Sequence, residues 1–156
     1  MSRSLGATLP PALEARLSQR DLARWLGRAL PFLTVDERGR PHPMLLSYLE
    51  VRTVSAGVIR VAVGAASGTR RNLEARGVAT LLVVEPDVTV YVKCRAAGAP
   101  LVSGDLARFE LAVEDVLEDL PAEGEEGVRL TGGIGYSPVP ALDGERARAT
   151  LALLSA

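Results

Sequence analysis

The run Val58-Ile59-Arg60-Val61-Ala62-Val63, followed by Gly64-Ala65-Ala66 and then Ser67-Gly68-Thr69-Arg70-Arg71-Asn72-Leu73, decides how the chain reads. Its first part is β-branched and apolar over six residues, the signature of a half-buried strand. Its second part opens a short helix: Ser67 stands where an N-cap belongs, and Gly77 supplies the left-handed residue that closes it. A strand that delivers a Ser, a Thr and two Arg to a helix start is suited to holding an anion.

On either side of this unit the pattern is mostly β. Phe32–Val35 predicts a strand, Asp36-Glu37-Arg38-Gly39 a turn, and Arg40–Tyr48 a second strand, with Pro41 and Pro43 marking it as an edge. Val58–Val63 is the third strand. Val78–Val84 and Val88–Ala96 form a hairpin across Glu85-Pro86-Asp87. Leu106–Glu118 alternates apolar and polar residues and predicts a sixth strand, although a helix would also suit its composition. Before these strands, Pro10-Pro11 opens a helical stretch, and Ser18 to Asp21 resembles a cap that reopens it through Leu22, Trp25, Leu26 and Ala29 up to Pro31. Residues 1–10 read as a loose lead-in, and Asp143 to Leu154 as a terminal helix. Six strands joined mainly by hairpins, with one helix inserted after the third, predict a small antiparallel barrel rather than a doubly wound sheet. The whole is expected to be one domain: a helical segment over about 11–30, the barrel over about 32–118, and a loop and helix over about 119–156.

Composition narrows the function. With 18 basic and 19 acidic residues the net charge is -1, so no field steers the chain to nucleic acid, and no basic stripe carries interleaved aromatics. The longest apolar run, Val78–Val84, is far too short to cross a bilayer as a helix, and no leader-like segment opens the chain. A cytoplasmic protein is the expectation. One cysteine, Cys94, excludes an internal disulfide, and packing on its strand is the simplest role for it. Arginine supplies 17 of the 18 basic residues, and Lys93, Asn72, Gln19, His42 and Cys94 are each the single example of their type. Heat adaptation and GC-rich coding both produce such a bias.

The chemistry available is limited in the same way. One His and one Cys, far apart in sequence, leave no zinc or iron set built on those ligands. His42 is the single imidazole, and no G-x-S-x-G elbow accompanies it, so hydrolysis by a nucleophile and base is not expected. His42 is read either as a half-exposed strand residue between prolines or as a ligand contact. Gly132-Gly133-Ile134-Gly135 lacks the spacing of a dinucleotide loop and reads as flexible. Arg70 and Arg71 in the first turn of a helix oppose its macrodipole. An anion on the free N–H groups removes the conflict, with the arginines closing around it; two solvated arginines are the plainer alternative.

The run Phe32-Leu33-Thr34-Val35-Asp36-Glu37-Arg38-Gly39-Arg40-Pro41-His42-Pro43 resembles the opening hairpin of the pyridoxamine 5'-phosphate oxidase-like, FMN-binding split-barrel proteins. Ser67-Gly68-Thr69-Arg70-Arg71-Asn72-Leu73-Glu74 is similar to their S-x-[KT]-x-R-N-L element, in the same order and spacing. The resemblance covers about Phe32 to Ala96, more loosely to Glu118. It implies a mainly β fold, a six-stranded antiparallel split β-barrel with flanking helices. It further implies a homodimer with FMN at the interface, the phosphate held by Ser67, Thr69, Arg70, Arg71 and Asn72. His42, Pro43, Met44 and Leu45 would then follow the isoalloxazine edge, and a small molecule would donate or accept electrons. Haem, with His42 on the iron, and a deazaflavin are the alternative cofactors. Two departures separate the chain from true pyridoxamine-phosphate oxidases: Thr69 stands where they carry a basic residue, and no His follows His42. The expectation is an FMN-dependent oxidoreductase or flavin reductase-like protein with no assignable catalytic side chain. A non-catalytic flavin- or haem-binding barrel for storage or sensing, and a dimeric module without cofactor, are the alternatives.

Overall fold

Along Val78–Glu85 burial alternates with every residue: Ala79, Leu81, Val83 and Glu85 turn inward, while Val78, Thr80, Leu82 and Val84 stay half-exposed outside. This two-residue period builds the molecule. The computed structural model describes residues 1–156. Its strands are β1 (Ser2–Ser4), β2 (Ala29–Val35), β3 (Pro41–Ser47), β4 (Val51–Ser55), β5 (Val58–Gly64), β6 (Val78–Glu85), β7 (Val88–Ala96), β8 (Leu101–Ser103) and β9 (Leu106–Asp119). The helices are α1 (Pro11–Leu17), α2 (Leu22–Trp25), α3 (Gly68–Arg76) and α4 (Glu145–Ser155).

All nine strands join one antiparallel sheet in the order β3-β2-β6-β7-β9-β5-β4, with β1 and β8 also pairing with β9. The 14 residues of β9 make it the spine: its first half pairs with β5 and its second with β7. The sheet curls because its two edge strands are consecutive in the chain, β3 reaching β4 through one 3-10 turn, Tyr48–Glu50. Inside the curl lie Phe32, Leu46, Val51, Ile59, Val61, Leu81, Val92 and Phe109, each essentially inaccessible. This is a split barrel: β3 and β4 form no ladder with each other, so the edges are not removed by closure. Pro41 and Pro43 blunt the β3 edge instead.

The predicted strands are present within a residue or two, except that β2 starts three residues early, at Ala29; α3 has the expected limits, with Ser67 as N-cap and Gly77 in the left-handed region at φ 70°. Leu106–Asp119 is a strand. The sheet has nine strands rather than six because β1, β4 and β8 are short and carry little periodicity. The lead-in is accordingly not loose, since Ser2–Ser4 pairs with the end of β9 and Leu9 is buried.

The helical segment is shorter than expected. Ser18 ends α1, its Oγ donating to Ala15 O at 2.7 Å, instead of capping a new helix, and Gln19 takes a left-handed φ of 66°. Pro31 lies inside β2. The Ala29 N–H donates to Ile134 O, away from β3, and by the two-residue repeat the missing donor of Pro31 faces that same side, where β6 pairing begins only at Phe32. The Gly132–Gly135 loop is fixed by this contact and by a bridge between Arg28 and Gly135.

These N-terminal elements cover one end of the barrel. Gln19 Nε2 donates to Leu49 O at 2.9 Å within the 3-10 turn, and Trp25 stacks on Tyr48 with ring centroids 5.8 Å apart. The Arg16 guanidinium lies 4.1 Å over Trp25 and pairs with Asp87, while Arg28 holds the buried Glu85 at 2.5–3.1 Å. Burial pushes the Tyr48 phenol up to about 12; its hydroxyl has no hydrogen-bond partner, although Arg16 lies close.

Candidate functional site

Three residues separate β5 from α3, and this short connection holds α3 against β2, β5 and β6. Ser67 caps it, its Oγ accepting from the Arg70 N–H at 3.1 Å. The Gly68 and Thr69 N–H groups find no acceptor within the protein. No acidic residue lies in this first turn, so the positive end of the helix is uncompensated.

The two adjacent arginines part company. Arg70 turns back along the helix, bonding Ala65 O at 2.9 Å and Glu74 Oε1 at 3.1 Å. Arg71 bonds Ala66 O at 3.1 Å and also lines a cleft of about 390 Å³ between α3 and the β2–β3 turn. Gly68, Asn72 and Arg76 line the α3 wall of that cleft, His42 enters from β3, and Asp36 and Glu37 come from the turn. A Cβ on Gly68 would stand 3.4 Å from both Cε1 and Nε2 of His42 and 3.7 Å from Nη2 of Arg71. The glycine therefore leaves a concavity between an imidazole and a guanidinium.

Asp36 does not compete strongly for these cations. Its Oδ1 accepts from the Arg38 and Arg40 N–H groups, both at 2.9 Å, and its Oδ2 from Arg40 Nε at 3.1 Å. The backbone N–H of Arg40 is the largest influence holding its carboxyl below the usual range. Glu37 is left as the charge opposing an anion in the cleft. The free N–H of Gly68, the Arg71 guanidinium and the open space beside that glycine suit a phosphate monoester.

The other expected phosphate ligands have different tasks. Thr69 is 2% exposed and Asn72 5% exposed. Asn72 Nδ2 donates to Thr34 Oγ1 at 3.0 Å, and Thr34 Oγ1 reaches His42 O at 3.5 Å. The single asparagine thus ties α3 to the β2–β3 hairpin. Of the five residues Ser67, Thr69, Arg70, Arg71 and Asn72, only Arg71 and the edge of Asn72 reach the cleft. Arg76 and Gly68 belong there too. The predicted helix carried the signal for Arg76, which lies four residues after Asn72 and so on the same face.

Strand alternation also divides His42, Pro43, Met44 and Leu45. His42 and Met44 are half-buried, the latter packed on the core, while Pro43 and Leu45 are exposed on the outside, Leu45 at 46%. All four cannot border one ring from the same side. The outer side has its own character: Leu33 and Val35 on β2, Pro43 and Leu45 on β3, and Leu82 and Val84 on β6 make an apolar face across three strands. At its margin a recess of about 340 Å³ holds Pro41, Val78, Lys93 and Glu114. Both faces of β2 are apolar in the sequence, which signals a strand covered on two sides. Cys94 is buried on the inner face, where burial pushes its thiol up to about 12, so packing is its role.

No protein-family model matches the chain, and no curated protein sequence does. Solved structures match its fold. One is a candidate pyridoxamine 5'-phosphate oxidase from Lactobacillus delbrueckii, 12% identical, with a TM-score of 0.56 over 73% of this chain and 98% of that one. Another is an FMN-binding protein from Syntrophomonas wolfei, 16% identical, with a TM-score of 0.50 over 70% and 90% of the two chains. The flavin reductase PheA2 is 12% identical, with a TM-score of 0.50 over 69% and 87%. At these identities what is shared is the architecture, and that architecture is the pyridoxamine 5'-phosphate oxidase-like split barrel.

Proposed function

From the split-barrel fold that this chain has in common with FMN-binding and flavin reductase proteins, we propose that it is an FMN-binding flavoprotein acting as an oxidoreductase of the flavin reductase type. The observation that carries the reading is the cleft at the start of α3, where Arg71, His42 and the unused N–H of Gly68 converge. These groups would take the phosphate. Bound flavin supplies hydride and single-electron chemistry, and the protein supplies position and surroundings. Ser67 keeps the α3 start in register by holding the Arg70 N–H. Asn72 and Thr34 hold the hairpin against the helix, so that the two walls of the cleft keep their spacing.

The outer apolar face supports a paired assembly. Leu33, Val35, Pro43, Leu45, Leu82 and Val84 lie together on one side of the curled sheet, half-exposed or exposed, and a second copy of the chain is the partner we assign to them. A cofactor at that contact would be shielded from water. A small molecule would donate or accept the electrons. We place the protein in the cytoplasm, in keeping with its one buried thiol.

Flavin fluorescence titrations of two variants test the site. Arg71→Ala should weaken FMN binding by at least about tenfold, the lower end of the range for a charge-assisted contact. Arg70→Ala, whose guanidinium serves Ala65 and Glu74, should stay within about twofold of the parent. Unchanged affinity in Arg71→Ala would remove the phosphate site from α3.

A further inference from the structure

We infer that His42 is a ligand of the phosphate group, not a neighbour of the flavin ring, and that it makes anion binding at this cleft depend on pH. The inference rests on the flavin reading for the identity of the phosphate carrier, but the geometry concerns any phosphate monoester. His42 presents its ring to the first turn of α3, Nε2 and Cε1 both 3.4 Å from the site of the absent Gly68 side chain, on the same concavity that Arg71 Nη2 reaches at 3.7 Å. Neither imidazole nitrogen has a hydrogen-bond partner: the bonds at His42 are made by its backbone, in the ladder with β2 and through its oxygen, which Thr34 Oγ1 approaches. The backbone anchors the residue beside α3, and both ring nitrogens remain free to meet a ligand.

The charged groups facing the ring come from two elements. Arg71 and Arg76 approach from α3; Asp36 and Glu37 approach from the β2–β3 turn, with Asp36 already held by Arg38 and Arg40. An anion seated between His42 and Arg71 favours the imidazolium form, because it adds a negative charge within contact distance. The sign follows from linkage. Bound anion raises the imidazole titration, so anion affinity is greatest where the ring is charged and falls as pH rises through its titration. A phosphate monoester gains its second charge near pH ~6. Once the phosphate carries both charges, FMN binding should weaken as a further rise in pH discharges the ring.

His42 is the only histidine of the chain, so its ring proton gives a single isolated resonance in a proton NMR titration. We expect saturating inorganic phosphate to raise its titration midpoint by about half a unit or more, and Arg71→Ala to abolish most of that rise. A midpoint that phosphate leaves in place, or moves equally in Arg71→Ala, overturns the inference. FMN separates this result from the wider reading. If phosphate shifts the midpoint but the protein retains no FMN, His42 is a phosphate ligand and the flavin assignment falls. If FMN is retained while neither phosphate nor FMN moves the midpoint, the flavin assignment stands and the role of His42 falls.

Discussion

Asn72 shows how a residue's type announces that it matters without announcing why. The family resemblance implies a phosphate ligand at this single asparagine, yet its amide nitrogen is spent on Thr34, itself 1% exposed, and Asn72 is 5% exposed. Replacing it leaves a buried hydroxyl without its donor and opens the joint between α3 and the β2–β3 hairpin. Asn72→Ala should cost about 1–3 kcal/mol of folding stability, the penalty for stranding a buried polar partner, read as a lower denaturation midpoint. No loss would mean that the tie is not structural. Arg70 and Arg71 teach the same lesson. Side chains adjacent on a helix point about 100° apart, so a run of two arginines delivers one to the cleft and one elsewhere. Sequence order put both arginines at the start of α3; it did not contain the choice between the two, because Ala65 O and Glu74 were not visible as competitors for Arg70.

At the scale of elements, long periodic strands were legible and short ones were not. β6 and β7 alternate over eight and nine residues, enough to define a face. β1 and β8 have three residues each and exist only because β9 offers them an edge. Pro31 misled for a related reason: it stops helices, but it is accepted in a strand where its missing donor meets no partner. The Gly132–Gly135 segment was read as flexible because glycine permits many conformations, whereas at Gly133 it serves close approach. A Cβ there would lie 2.1 Å from Val84 O, a backbone atom that cannot step aside. Gly133→Ala should lift this segment from β2 and β6 and lower stability by about 1–3 kcal/mol. At Gly132 the nearest atom to a new Cβ is Arg28 Nη2 at 3.7 Å, so Gly132→Ala should leave the thermal midpoint nearly unchanged. Equal midpoints for the two variants would contradict the contact.

At the scale of the whole molecule, the barrel follows from one topological fact: its edge strands β3 and β4 are joined by a 3-10 turn of three residues, so the sheet must curl. The class of fold was readable from hairpin spacing and from the single inserted helix. The split was less so, since the gap between β3 and β4 depends on where pairing stops. The same curl leaves an outer apolar face beside a cationic cleft, and these two surfaces together support a flavin held by a pair of chains. The most direct test is to incubate the purified protein with excess FMN, desalt it, and record its visible absorption and light-scattering mass on the same sample. The account predicts retained flavin bands in the blue and near-ultraviolet, about one FMN per chain, on a particle of twice the chain mass. A colourless monomer would contradict it.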